Sequence, residues 1–248
     1  MVSMGGCFVS CISKRDLLSQ ICSWIESREC GRYVAAVNVS KIVLLQKDRK
    51  LASFMASSSI NIADGSPVYY AARLLGSSTI ERITGIELME DLLRLAGQRG
   101  FRVFFFGSKQ KVLDVVLEKC RRLYPGLTIA GARNGYYTPE EEQIIVREIA
   151  ASNVDILLVA LGLPQKEYFV HDHVRELRCP LILPVGGGFD VFAGIKRRAP
   201  RWVQKIGVEW LWRSMYDMSR AKLVKDGFVP FLKIIGRDLY QKGLLKRG

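Results

Sequence analysis

Asp64 stands in Ile62-Ala63-Asp64-Gly65, directly after an apolar run and just ahead of Pro67. A carboxylate held at such a junction and partly removed from water takes a proton from a hydroxyl far better than one in free solvent. The same spacing suits an N-cap for a helix starting near Ser66, and from spacing alone the cap is favoured. A second group lies further on. Gly186, Gly187 and Gly188 follow the apolar run 181–185 and precede Phe189 and Asp190. They suit a strand-to-helix turn where the missing Cβ atoms let a phosphate approach backbone N–H groups. Lys196, Arg197, Arg198, Arg201 and Lys205 come next. Cations this closely spaced repel one another unless solvent, a polyanionic ligand or an anionic surface offsets them. The plainest alternative for them is a solvated face.

Lesser candidates sit at similar junctions. Arg82 and Thr84, in Arg82-Ile83-Thr84-Gly85, lie between a loop and a helix, where they suit an anionic or hydroxylated ligand. Thr84 with Glu87 also reads as a capping box, and the two roles are compatible. The turn 161–167 offers Gly162, Gln165 and Glu167, an amide and a carboxylate able to hydrogen-bond the edge of a sugar or a base. Asn38 follows another apolar run. No Asp-x-Asp occurs, the usual carboxylate pair for a divalent ion on a diphosphate, so no metal site is expected and phosphate charge falls to Arg, Lys and backbone N–H groups. His171 and His173, two apart on a helix candidate, point to different faces and read as surface residues rather than metal ligands. Gly-x-Gly-x-x-Gly is absent, which counts against a nicotinamide oxidoreductase, and no cofactor is expected.

The elements that position these groups are legible in the hydrophobic pattern. Apolar, β-branched or aromatic runs at 33–37, 60–63, 101–106, 127–130, 155–161 and 181–185 alternate with helical periodicity, the signature of a parallel sheet covered on both faces. Helices are expected over 86–98, closed by Gly100, and over 112–124, ahead of Pro125-Gly126. Thr138, Pro139 and Glu141 start another, which should reach about Ala150. Pro164 opens a further one to Arg178. The expectation is an α/β, Rossmann-like fold with ligands beyond the carboxyl ends of the strands.

Charge divides the chain unevenly. Residues 196–248 hold 14 Lys+Arg against four acids, whereas the formal net charge of the whole is +13, so most of the excess sits in the last fifth. Residues 1–195 read as the α/β core. Residues 196–248 read as a basic C-terminal appendage, with a break near Pro200 and an amphipathic stretch pairing Phe231-Leu232, Ile234-Ile235 and Leu244-Leu245 with cations. Gly236 and Gly243 weaken that stretch as a helix by about 1 kcal/mol each, so it is expected to order on meeting a surface, an anionic membrane or a neighbouring subunit of a homo-oligomer. No run reaches the roughly 20 apolar residues that cross a bilayer, and the start lacks a signal-peptide pattern, so an intracellular protein is expected. Six scattered cysteines without CxxC read as reduced thiols. A basic nucleic-acid-binding α/β protein is the competing reading of the tail.

Taken in order, Asn38, Ala63–Val68 (ADGSPV), Glu81–Gly85 (ERITG), Tyr124–Leu127 (YPGL), Asn134–Tyr137 (NGYY), the turn LGLPQKE, GGGFDVFAG, KRRAPRW and GVEWLWR resemble the WecG/TagA/CpsF family of bacterial glycosyltransferases, from about Asn38 to Arg213. The resemblance implies transfer of a sugar, N-acetylmannosamine, its uronic acid or glucose, from a UDP-sugar to an undecaprenyl-diphosphate-linked acceptor. That transfer serves cell-wall or extracellular polysaccharide synthesis at the inner face of the cytoplasmic membrane, with no nucleic-acid partner. It further implies an inverting, metal-independent mechanism with Asp64 as base, and Arg213 and Arg220 as diphosphate ligands. Three departures stand out: Ala36 where the family has Thr, Pro164-Gln165-Lys166-Glu167 where it has Pro-Lys-Gln-Glu, and 217–221 where it has Glu-Pro-Arg-Arg-Leu.

Overall fold

A computed structural model describes residues 1–196, Val203 and 218–245, with side chains over 227–243 of the last stretch. The sheet consists of β3 (Arg32–Val37), β4 (Ile60–Ala63), β5 (Arg102–Gly107), β6 (Thr128–Arg133), β7 (Ile156–Ala160) and β8 (Leu181–Pro184). These six parallel strands run in the order β4-β3-β8-β7-β5-β6. Helices surround them, which gives the Rossmann-like α/β fold expected from the pattern. All six strand expectations hold, with no end moved by more than three residues and β4 at the expected bounds.

Two compact units emerge from the contacts, one of Met1–Lys14, Ala36–Thr84 and the C-terminal segment, the other of Arg15–Ala35 and Gly85–Arg197. The second unit carries the densest core. β5, β7 and β8 are buried almost throughout, which is why each reads as a continuous apolar run rather than an alternation. Phe106 packs on Phe169 at 4.8 Å between centroids and Phe105 on Phe189 at 5.9 Å. Against this core lie α1 (Lys14–Glu26), α5 (Gly85–Arg99), α6 (Gln110–Leu123), α7 (Pro139–Ala151), α8 (Gln165–His173) and α9 (Gly188–Phe192). α5 buries Leu88, Met89, Leu92 and Leu93 as its spacing predicts, with Ala96 beside them, whereas Leu95, expected on the same face, is only half-buried. α7 begins with the expected capping box, the Thr138 N–H donating to Glu141 Oε2 at 2.9 Å.

Two expectations in this unit are corrected. α8 stops at His173 rather than Arg178, because the chain turns there to bury Leu177, whose N–H donates to the His173 carbonyl. His173 is not a surface residue: its side chain is 13% exposed, its ring meets that of Phe169 at 5.3 Å with the planes tilted by 55°, and it lies 3.0 Å from Glu142 and 3.4 Å from Glu176.

Asp155, just ahead of β7, ties three segments together. Its Oδ1 accepts from Arg28 Nη1 at 2.5 Å and its Oδ2 from the Arg102 N–H at 2.8 Å. Asp155→Ala removes the charged acceptor of that part-buried N–H and of Arg28, so urea unfolding should show a lower midpoint at constant slope, worth about 1–3 kcal/mol. Asp155→Asn, which retains one acceptor, should lose less.

In the first unit a hairpin of β1 (Val2–Met4) and β2 (Cys7–Val9) turns at Gly5-Gly6. It packs against β4 and α3 (Arg49–Ser57), and α2 (Val39–Leu44) and α4 (Ser66–Leu74) complete the layer. The C-terminal helix, α10 (Met218–Leu245), runs unbroken through Pro230, Gly236 and Gly243. The surface it was expected to require is supplied by its own chain. Phe231 and Ile235 are buried, α10 packs on α2, Asp238 Oδ2 accepts from the Gly5 N–H at 2.6 Å, and Lys242 Nζ donates to the Leu75 carbonyl. Its opposite face leaves Val229, Leu232, Leu239 and Tyr240 in solvent.

All six cysteines are free, as expected. Burial pushes the Cys7 and Cys120 thiols up to about 12.

Candidate active site

In the first unit the candidate residues gather at the end of β4. Asp64 is half-buried, and its N–H still donates to the Val37 carbonyl at 2.9 Å, so its backbone continues the strand pairing. Gly65 then takes φ 94°, a left-handed conformation that glycine adopts at little cost, and serves as the N-cap of α4 with Pro67 in its first turn. The cap position therefore falls one residue past Asp64. The helix-cap role favoured by spacing is not the one the carboxylate has, because the turn is made by Gly65.

Arg82 lies alongside. Its backbone forms a parallel bridge with Ala63, and its guanidinium donates to Ser66 Oγ at 3.4 Å. Ser66, Tyr69, Tyr70, Ile80, Glu81 and Arg82 line a cleft of about 310 Å³. The two tyrosine rings meet edge to face at 5.2 Å, and Arg73 covers Tyr69 at 6.0 Å. Aromatic walls with one guanidinium and one carboxylate suit a ligand that is rich in hydroxyls and has apolar faces. Thr84 is buried nearby in sequence. Asn38 has a structural duty as well, since its side-chain oxygen accepts from the Lys41 N–H at 3.1 Å and caps α2.

In the second unit, β7 and β8 each end in a candidate turn. Gly162 and Gln165 are exposed after β7, whereas Lys166 and Glu167 are buried. The Lys166 ammonium lies 2.9 Å from Glu167 Oε1 and donates to Oε2 at 3.1 Å. After β8, Gly186 takes φ 54° and its N–H donates to the Val159 carbonyl at 3.2 Å. Gly187 is exposed, and Gly188 is buried against Val185 and Met89. The turn leads into α9, which is only five residues long. Asp190 is half-buried within α9, with Oδ2 2.9 Å from Lys196 Nζ, so the first cation of the basic block is offset inside the chain.

The expectations for Arg213, for the Arg220 side chain and for the cations at 197, 198, 201 and 205 lie outside the described residues. The remaining candidates form two groups, Asn38, Asp64, Arg82 and Thr84 in one unit and Gly162, Gln165, Glu167, Gly186–Gly188 and Asp190 in the other. Sequence reasoning missed Ser66, Tyr69 and Tyr70, although a Tyr-Tyr pair one turn into the helix after Asp64 is a readable sign of an aromatic wall. It also passed over Lys166, having singled out its neighbours Gln165 and Glu167 as ligand-binding groups.

Strand-end turns bearing a carboxylate and a glycine run, with a cleft beside β4, on a parallel sheet give the layout of a Rossmann-like α/β protein. The profile of the "Glycosyl transferase WecG/TagA/CpsF family" matches residues 2–242. The chain belongs to that family, and it is a glycosyltransferase. It is 31% identical over 195 residues, 79% of this chain and 75% of the relative, to the N-acetylglucosaminyldiphosphoundecaprenol N-acetyl-beta-D-mannosaminyltransferase of Bacillus subtilis (strain 168). The enzyme of the same name from Bacillus spizizenii is 31% identical over 190 residues, 77% of this chain and 73% of that one. Among the described residues no helix is long and apolar enough to cross a membrane.

Proposed function

We propose that this protein is an inverting, metal-independent glycosyltransferase that moves N-acetylmannosamine from its UDP derivative to an undecaprenyl-diphosphate-linked N-acetylglucosamine, in cell-wall polysaccharide synthesis at the inner face of the cytoplasmic membrane. The observation that carries it is the placement of Asp64: a half-buried carboxylate at a strand end, not the cap of α4, two residues before Ser66 of a cleft whose walls fit a sugar. The names of the two Bacillus relatives favour N-acetylmannosamine over its uronic acid or glucose.

Asp64 takes the proton of an acceptor hydroxyl, whose oxygen attacks the anomeric carbon of the donor sugar. The new C–O bond forms on the face opposite the old one, the bond to UDP breaks, and UDP leaves with the electron pair. Arg82 and the Asn38 amide N–H groups hold sugar oxygens, and Thr84 supports them. Gly162 and Gln165 bind the donor, and Asp190 accepts from its hydroxyls. The leaving diphosphate is met by the glycine turn and by Arg213 and Arg220, where negative charge develops. Since the sequence has no Asp-x-Asp, these groups replace a divalent ion. Glu167, fully buried, serves by holding Lys166 rather than by touching substrate.

The test is a panel of UDP-sugars with a lipid-diphosphate N-acetylglucosamine acceptor, run with and without a chelator. Product should form with UDP-N-acetylmannosamine at a rate the chelator leaves unchanged. Loss of turnover with the chelator would remove metal independence. Salt-sensitive binding of duplex DNA with no heat of UDP binding would point to the nucleic-acid reading instead.

A further inference from the structure

Lys166 is the second residue of α8, and it turns inward although its neighbour Gln165 is exposed. The Lys166 side chain is 9% exposed and its partner Glu167 is wholly buried. Its stem lies against Gly186, so that a Cβ built on that glycine would stand 3.3 Å from Lys166 Cε and 3.7 Å from both Cδ and Nζ. A positive charge is therefore buried beside the glycine turn.

A buried ion pair is a poor device for stability, because removing both charges from water costs as much as their attraction returns, and an apolar pair of equal volume does as well or better. Its location suggests a different use. Of the two charged groups, the cation is the one in contact with the turn, while Glu167 lies deeper and fixes it. Among the described residues the other charges at the turn offset each other: Asp190 Oδ2 lies 3.9 Å from a Cβ built on Gly187, and Lys196 neutralises it at 2.9 Å. An anion arriving at Gly186 and Gly187 thus meets one offset carboxylate and a buried ammonium held against the backbone it must approach.

We infer that Lys166 is a positioning residue for the donor diphosphate, holding the Gly186 turn in shape and placing a fixed positive charge beside it. The inference rests on the reading of the glycine turn as the diphosphate site. It takes the form of a dependence on phosphate: uridine, which has none, does not sense Lys166, whereas UDP does.

The experiment is calorimetric titration of the full-length protein with UDP and with uridine, using wild type, Lys166→Met and the double variant Lys166→Met/Glu167→Gln. The double variant keeps the volume of the pair and removes both charges, so it remains folded even where the single change leaves a stranded carboxylate. Thermal unfolding checks each variant. UDP affinity should fall tenfold or more in both variants, with uridine affinity within about twofold of wild type. Equal UDP binding by wild type and Lys166→Met overturns the inference. So does recovery of UDP affinity in the double variant, which would mean that Lys166 only neutralises Glu167. Parallel loss of uridine and UDP overturns it too, because that is the pattern of a merely structural residue. Absence of UDP binding by the wild type would instead remove the diphosphate reading itself.

Discussion

Asp64→Asn should lower kcat by about 10²–10⁴-fold, the range that a positioned general base contributes, while the Kd for UDP stays within about twofold. Asparagine has nearly the same shape, so the strand-end backbone and the Gly65 turn are undisturbed, and what disappears is the ability to accept the hydroxyl proton. The two readouts separate base from binding group: a role in holding donor would raise Kd, and a role in folding would lower the unfolding temperature. A variant that turns over at the wild-type rate would leave the enzyme class standing and assign the proton to another group. Neighbouring Gly65→Ala is a useful contrast, since a side chain at φ 94° strains the turn and should cost stability before chemistry.

The second large effect concerns the outward face of α10. Val229 and Leu232 are 51% and 53% exposed, and Lys233 and Arg237 flank them on the same helix. The inner face is occupied by Phe231, Ile235 and Asp238, so changes on the outer face do not unseat the helix. The double variant Val229→Asp/Leu232→Asp should lose binding to anionic vesicles by about 10²-fold or more. Two shallowly inserted aliphatic side chains are worth about 1 kcal/mol each, and each added carboxylate opposes the attraction of the anionic surface for one cation by about another. Flotation with vesicles containing anionic lipid measures this, with uncharged vesicles as the comparison. UDP binding and helical content should not change. Unaltered flotation would remove this face of α10 as a membrane-contacting surface.

How far the pattern of residues could be trusted depended on whether a signal was local. The triple phenylalanine of β5 and the Leu181–Pro184 run of β8 announce buried parallel strands because nothing polar interrupts them. Thr138 and Glu141 mark the start of α7 because a capping box is complete within four residues. The β1–β2 hairpin has only three residues per strand, and α2 only six, too short for any periodicity to show. Asp64 and Lys166 are instructive for the opposite reason. The local spacing of Asp64 was clear and favoured the commoner role of a cap, and the turn holding Lys166 drew attention to Gln165 and Glu167 instead. What reassigns them is tertiary: the left-handed Gly65 that moves the cap position, and the packing of α8 that puts Lys166 against Gly186. The persistence of α10 through a proline and two glycines belongs to the same class, since the contacts of Phe231 and Ile235 outweigh the helix propensity that the sequence displays.

The bond from the Gly5 N–H to Asp238 spans 233 positions, and it bears on the timing of synthesis. A ribosome making this protein delivers the hairpin well before the helix that bonds to it, with the whole Gly85–Arg197 segment emerging in between. The unit that holds Gly85–Arg197 can assemble while translation continues, but the one that holds the hairpin must wait for α10. Nascent chains stalled after residue 197 should accordingly protect the central segment from protease and leave the amino-terminal one open to cleavage.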